Sequence, residues 1–268
     1  MKVKCKKKAS AFFLFIQIHK KMEKLKSFSQ YMQQLARRNS ISYVFSDFLE
    51  MSVCALSLGA METRYLDIVG RYDKQEVNLM ADAFAALVLE MDNDGEGLRD
   101  IFGDFYMEHI SHGHNGQFFT PEHICELMAR VQGKIENGSR VLDCACGSGR
   151  TLLAAAKINR NAYFYGADID RNCCMMCLIN QCLNGLLGEV AWMNSLSNQF
   201  FGAWQIHLHP TGGIPYIVSI TEAESLIVLK IPAQKATPIK APIPEFADVL
   251  AELIDTVPVK AQQLLFNF

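Results

Sequence analysis

No run of this 268-residue sequence is long and apolar enough to span a bilayer, which takes about 20 consecutive apolar residues, and no internal repeat is present. A membrane-spanning protein and a solenoid are therefore not expected. Prolines and glycines are few between residues 22 and 110, so that stretch is free to be helical. No second cysteine pair joins Cys174 and Cys177 to complete four ligands, and no two histidines stand at a helical metal spacing. His112, His114 and His123 accordingly read as solvated or capping residues, and no metal is expected. Several of the nine cysteines (Cys54, Cys125, Cys173, Cys177) sit within apolar runs, where free thiols behave as small buried hydrophobes. A reducing, cytoplasmic setting is expected rather than a disulfide framework.

Positive charge is scarce outside the first 21 residues. Seven lysines and no acid stand there, leaving the rest of the chain with about −9. An acidic body is a poor footprint for gripping DNA alone, because neutralised phosphates supply most nonspecific affinity. For the basic segment itself two readings stay open: an upstream extension with Met22 as the biological start, or an amphipathic basic helix.

What is present is a chain half hydrophobic, long enough to bury one substantial core. From Met22 to about Ile110 the pattern is helical. Phe45 to Met51, continued by Ala55, Leu56 and Leu58, reads as one buried helix. Val77 to Leu89 reads as another, stopped by Asp92-Asn93-Asp94-Gly95, a solvated turn without the ligand spacing of a calcium loop. Thr120-Pro121 reads as a helix start, with threonine as the cap, proline at the first helical position, and Ile124, Leu127 and Met128 on one face.

The chain is organised around Val141-Leu142-Asp143-Cys144-Ala145-Cys146-Gly147-Ser148-Gly149-Arg150-Thr151-Leu152-Leu153. This reads as a strand ending in an acid, a turn of small residues, and a helix starting near Thr151. Glycines permit close approach of a ligand to the backbone, and the first helical N–H groups are free to donate. Tyr163 to Asp170 reads as a second strand ending in acid, parallel to the first across a helical crossover. Asp168 is the residue there best placed for ribose hydroxyls. A core helix runs from Asn172 to about Leu183, and a third strand, Glu189 to Met193, ends at Asn194-Ser195-Leu196. Further on, Trp204–His209, Tyr216–Ile220 and Leu226–Ile231 read as short strands and Ile231–Pro244 as an extended connector. Helical stretches are expected at Phe246–Leu253 and Ala261–Phe266. Three strand ends carrying Asp143, Asp168 and Asn194 along one sheet edge describe a ligand made of adenosine and a carboxylate.

These motifs, in order, are Gly116-Gln117-Phe118-Phe119-Thr120-Pro121, Asp143 to Gly149, Gly166-Ala167-Asp168-Ile169-Asp170, and Asn194-Ser195-Leu196. Together they resemble the cofactor motifs of adenine-specific amino-methyltransferases acting on DNA, most of all the modification subunit of type I restriction systems and related phage or mobile-element methylases. The resemblance covers roughly residues 98 to 197. It implies S-adenosylmethionine as cofactor, with Gln117, Phe118, Phe119, Thr120 and Pro121 toward its methionine end. Asp143, Cys144, Ala145, Cys146, Gly147, Ser148 and Gly149 would surround the amino-acid part. Asp168 would take the ribose, Ile169 the adenine ring, and Asn194, followed by Ser195 and Leu196, the adenine amino group. It also implies DNA reached through a partner specificity subunit, and a homo-oligomer stays open.

The sequence departs from that family in one respect. Active members end their fourth strand in Asn/Asp-Pro-Pro-Tyr/Phe, which holds the target amine and stacks on the flipped base. No such tetrapeptide occurs here. Asn198-Gln199-Phe200-Phe201 and Gly213-Ile214-Pro215-Tyr216 are the nearest echoes, so no catalytic residue is assigned. The expected fold is α/β: a Rossmann-like methyltransferase sheet, full or shortened, preceded by a helical region. The expected division is a basic extension at 1–21, helices at 22–110, a cofactor-binding domain at 111–231, and a proline-rich connector with a helix at 232–268. Two functions follow: an adenine-specific DNA methyltransferase, or a cofactor-binding module that transfers no methyl and acts in a complex.

Overall fold

The computed structural model describes residues 25–111, 118–211 and 213–230. The basic segment 1–21, the residues Gln117, His112 and His114, and the expected connector and helices of 232–268 lie outside the described residues.

Four helices open the described chain. In α1 (Phe28–Leu35), Ser27 and Gln30 form a reciprocal capping box. Ser40 caps α2 (Ile41–Leu56) by accepting from the Tyr43 N–H at 3.2 Å. Then follow α3 (Glu62–Val69) and α4 (Lys74–Asp92). Helix α2 ends two residues before Leu58, which turns out to solvent with φ 50° instead of continuing the apolar face. After α4, Asn93 turns left-handed and a short 3-10 turn (Asn93–Gly95) is closed by the Gly95 N–H donating to Asp92 at 3.0 Å. The acidic run is thus a helix-ending turn. Helix α5 (Ile101–Tyr106) continues into a π-turn at Met107–Ser111.

Aromatic rings knit these helices together. Phe28 lies 5.3, 5.7 and 5.2 Å from Phe48, Phe102 and Phe105, tilted or edge-on to each. Such pairs add about 0.5–1.5 kcal/mol each beyond area burial. One continuous apolar cluster runs from Phe28 through Phe102, Leu152 and Cys177 to Ile217, so the helices and the sheet share a core.

The sheet has five strands in the order β1-β2-β3-β4-β5: Arg140–Asp143, Tyr163–Asp168, Gly188–Asn194, Gln199–Leu208 and Pro215–Ile220. The first three run parallel, with Asp143 opposite Gly166 and Asp168 opposite Trp192. The crossovers are α7 (Arg150–Ile158) and α8 (Arg171–Leu183). Helix α8 touches β2 and β3 on one side and α2 on the other. That sandwiching explains why Cys173 to Cys182 are all buried, four thiols among them. The last two strands are antiparallel and extend the sheet from β3, so among the described residues β1 is an edge strand paired only with β2. No helix among the described residues is long and apolar enough to cross a membrane.

Three expectations are corrected. Leu226 to Lys230 is not a strand: its N–H groups go to side chains, that of Leu226 to the buried Glu189 carboxylate at 3.0 Å, those of Ile227 and Val228 to the Ser225 hydroxyl oxygen at 3.3 and 3.4 Å, and that of Leu229 to the Asn198 amide oxygen at 3.0 Å. The strand expected from Trp204 starts earlier, at Gln199, because Asn194 and Gln199 already pair across the β3–β4 turn. Helix α6 (Glu122–Val131) has Pro121 rather than Thr120 at its cap position, with no side-chain cap. Its small residues Cys125 and Ala129 pack on Ala154 of α7, which leaves its apolar stripe outside, Leu127 at 57% and Val131 at 77% exposure.

Candidate functional site

The turn between β1 and α7 is built by its own first residue. Asp143 accepts the Ala145 N–H at 3.0 Å with one oxygen and the Thr151 hydroxyl with the other, so a single carboxylate spans the turn from strand end to helix start. The Gly149 N–H closes it onto the Cys146 carbonyl at 2.7 Å, and the Cys146 N–H donates to Ala167 of β2 at 2.9 Å. Gly147 and Gly149 have φ of 52° and 87°, conformations that side-chain-bearing residues rarely adopt. The ring of Phe119 lies over Gly147, where a Cβ would stand 3.0 Å from two ring carbons. Phe119 in turn stacks on Tyr106 at 5.3 Å.

These pieces bound a cleft of about 210 Å³ whose lining includes Phe118, Phe119, Thr120, Asp143, Gly147 and Thr151. The aromatic-threonine segment, which ends at Thr120, and the turn that begins at Asp143 therefore face each other across the cleft. Pro121 caps α6 next to it. Ser148 is buried behind the turn, whereas Cys144 and Ala145 are exposed on it.

Asp168 joins this wall from the neighbouring strand. Its carboxylate accepts the Gly147 N–H at 2.9 Å with one oxygen and the Asp170 N–H at 2.9 Å with the other. Burial raises its pKa above the ordinary carboxylate value, against the lowering effect of those two N–H groups. Ile169 is largely exposed beside it, and its carbonyl accepts the Trp192 indole N–H at 3.0 Å. At the third strand end, the Asn194 side-chain oxygen accepts the N–H groups of Leu196 (3.0 Å) and Ser197 (3.2 Å), an Asx turn. Ser195 donates to the Cys144 carbonyl at 2.7 Å, tying that turn to the first one, and Leu196 is fully exposed. The three strand ends are thus linked. The oxygen of Asn194, however, is already engaged with its own backbone.

Sequence reasoning missed the residues that brace the turn from behind: Asp100, which caps α5, Arg150 of α7 and Asn180 of α8. It also missed Tyr106 and Trp192, which support Phe119 and Ile169. None of these five is a residue type diagnostic of a ligand by itself, and they come from four separate parts of the sequence.

The arrangement brings together backbone donors at a helix start, a strand-end carboxylate, and exposed apolar surface next to it. The protein-family model for N-6 DNA Methylase matches residues 97–210. The methylase subunit of the type I restriction enzyme MpnII from Mycoplasma pneumoniae is 34% identical over 110 residues, which are 37% of this chain and 20% of that relative. The chain thus spans about a fifth of the length of the curated relative it matches. A crystal structure of a type I restriction-modification methyltransferase subunit from Streptococcus thermophilus aligns over 59% of this chain and 56% of its own, at 17% identity and a TM-score of 0.32. The segment 97–210 that matches the N-6 DNA Methylase model contains the cleft and all three strand ends.

Proposed function

We propose that the chain binds S-adenosylmethionine in the cleft beside the Asp143–Gly149 turn, as the donor-binding part of an adenine-specific DNA methyltransferase. The observation that carries this reading is the Gly147–Asp168 hydrogen bond, which sets a ribose acceptor and a glycine turn side by side. Each Asp168 oxygen accepts one backbone N–H and retains a lone pair for a ribose hydroxyl. The turn and the start of α7 suit the amino-acid end, with Phe119, Thr120 and Pro121 opposite. Ile169 offers an apolar surface for adenine, and Asn194 works through the turn it braces. S-adenosylmethionine supplies an electrophilic methyl group on a sulfonium; the residues of this chain bind and orient it.

One observation favours a second reading, a module that transfers no methyl by itself. The chain contains no Asn/Asp-Pro-Pro-Tyr/Phe segment, and an exocyclic amine needs such an acceptor pair because its lone pair is delocalised into the base. Under this reading a partner subunit supplies the base-holding groups and the contacts to DNA, which the acidic body does not favour.

Calorimetric titration with S-adenosylmethionine tests the binding. Heat of binding is expected with the wild-type chain and not with Asp168→Ala; no heat at high micromolar ligand, or unchanged binding in the variant, overturns it. Labelled donor incubated with adenine-rich DNA, with and without candidate partner subunits, separates the enzyme from the module.

A further inference from the structure

The rigidity of the glycine turn comes partly from a carboxylate outside the sheet. Asp100 caps α5 and is 6% exposed. One of its oxygens accepts the Gly103 N–H and the Asn180 amide, both at 2.9 Å; the other accepts the Ser148 hydroxyl at 2.5 Å and the Arg150 Nε at 2.9 Å. The same Asn180 amide also donates to the Ser148 carbonyl at 2.8 Å. Arg150 completes the knot with a 2.6 Å contact to Asp104. Four donors from three helices and the turn thus converge on one buried side chain. Two of them, Ser148 and Arg150, flank Gly149 where the turn enters α7.

Gly103 shows that this convergence is built into the packing. It sits inside α5, where an alanine would normally be preferred. A Cβ at that position would lie 2.0 Å from Asp100 Oδ2, 2.7 Å from the Ser148 hydroxyl and 2.8 Å from the Arg150 guanidinium. A side chain there would occupy the space in which the carboxylate meets its donors.

Resting on the S-adenosylmethionine reading above, we infer that Asp100 is a positioning residue for the amino-acid end of the donor. It touches no ligand; it fixes Ser148 and Arg150, and through them the direction in which the turn and the first N–H groups of α7 point. Charge-assisted hydrogen bonds are about twice as strong as neutral ones, and a carboxylate is the acceptor-only group that four donors require. Asn at position 100 would turn an NH2 toward donors and leave the Arg150 charge uncompensated. The strand-end carboxylate that would take the ribose is held separately, by Gly147 and Asp170. The two ends of the ligand therefore depend on different contacts.

That separation makes the inference testable with two ligands, S-adenosylmethionine and 5′-methylthioadenosine, which keeps the adenosine and lacks the amino-acid end. Asp100→Asn is expected to weaken S-adenosylmethionine about tenfold or more, the loss appropriate to a hydrogen bond with a charged partner, while changing methylthioadenosine less than about threefold. Gly103→Ala should show the same selectivity, and Asp100→Glu should not restore affinity because the longer side chain displaces its donors. Ser148→Ala, which removes one donor and leaves the Arg150–Asp100 pair, gives the same pattern at smaller amplitude if Asp100→Asn does not fold. Equal weakening of both ligands overturns the inference in favour of a merely structural role, as does unchanged affinity for S-adenosylmethionine. A wild-type chain that binds neither ligand removes the underlying reading as well.

Discussion

Arg171, in the first turn of α8, donates to Glu50 of α2 at 2.8 Å, and Arg64 of α3 grips the same carboxylate with two hydrogen bonds of 2.8 Å. Three helices are fastened around a side chain that is 6% exposed. Burial alone would raise the Glu50 pKa; the two guanidiniums outweigh it and hold it at about 2. Because Arg171 follows Asp170, this knot also anchors the segment that leaves the candidate ribose carboxylate.

A carboxyl held below its ordinary value of 4.5 stabilises the fold above that pH and loses its contribution as pH falls toward about 2. Acid unfolding should therefore steepen in that window. Glu50→Gln should remove the steepening and cost about 2–3 kcal/mol at neutral pH, less than a fully buried pair because both arginines are partly exposed. Urea melts of both proteins from pH 7 to pH 2.5 check this; parallel stability curves below pH 4.5 would sink it.

Gly149→Ala and Gly133→Ala form a matched comparison. Both glycines have φ near 90°, but a Cβ at 149 meets the Cys177 Sγ at 2.8 Å and its Cα at 3.3 Å, while nothing lies within 4 Å at 133. The strain common to both is about 1 kcal/mol. The alanine at 149 should cost at least about 1 kcal/mol more, read as the difference between two thermal or denaturant midpoints. Equal losses would mean that the α8 thiols yield freely.

Thiol reactivity should follow burial. Among the described cysteines Cys144 is the exposed one, while Cys146, two residues on, is buried with Cys173, Cys174, Cys177 and Cys182. Burial drives the thiol pKa of Cys173 and Cys174 far up and that of Cys182 to about 12. N-ethylmaleimide on the native protein should label Cys144 well before these, and S-adenosylmethionine should slow it. Peptide mass spectrometry against time reports both; early labelling of Cys177 would contradict the packing of α8.

Ser40→Ala removes the side-chain cap of α2 and should lower stability by about 1 kcal/mol. Ser40 does not line the cleft, so the heat of S-adenosylmethionine binding should be unchanged. A loss of binding with intact folding would place α2 in the site.

The strand-turn-helix at Val141–Leu153, the second strand and α8 were legible in the sequence, because each combines a clear period with local punctuation. The second strand begins at Tyr163 as expected but stops at Asp168, two residues short of the expected Asp170, because Asp170 caps α8 by accepting the Asn172 N–H at 2.7 Å. The face of α6 was not legible. Its spacing shows that Ile124, Leu127, Met128 and Val131 share a side, but periodicity cannot say whether that side or the small side of Cys125 and Ala129 packs inward. Leu226–Lys230 looked like a strand because β-branched composition says nothing about a buried Glu189 waiting 37 residues away for the Leu226 amide. The same limit hid Asp100. Its partners Ser148, Arg150 and Asn180 come from distant parts of the chain, and only the folded core brings them together.

The position of β1 at the rim of the sheet has a consequence for traffic at the cleft. Asp143 ends the outermost strand, so the turn that walls the cleft is bordered on one flank by β2 and on the other by main-chain groups with no neighbouring strand among the described residues. An unpaired strand is a template that any extended backbone can extend, and on α6 the exposed stripe of Leu127 and Val131 adds apolar surface. Whatever polypeptide takes up that rim will also border the mouth of the cleft, making assembly and access one event rather than two.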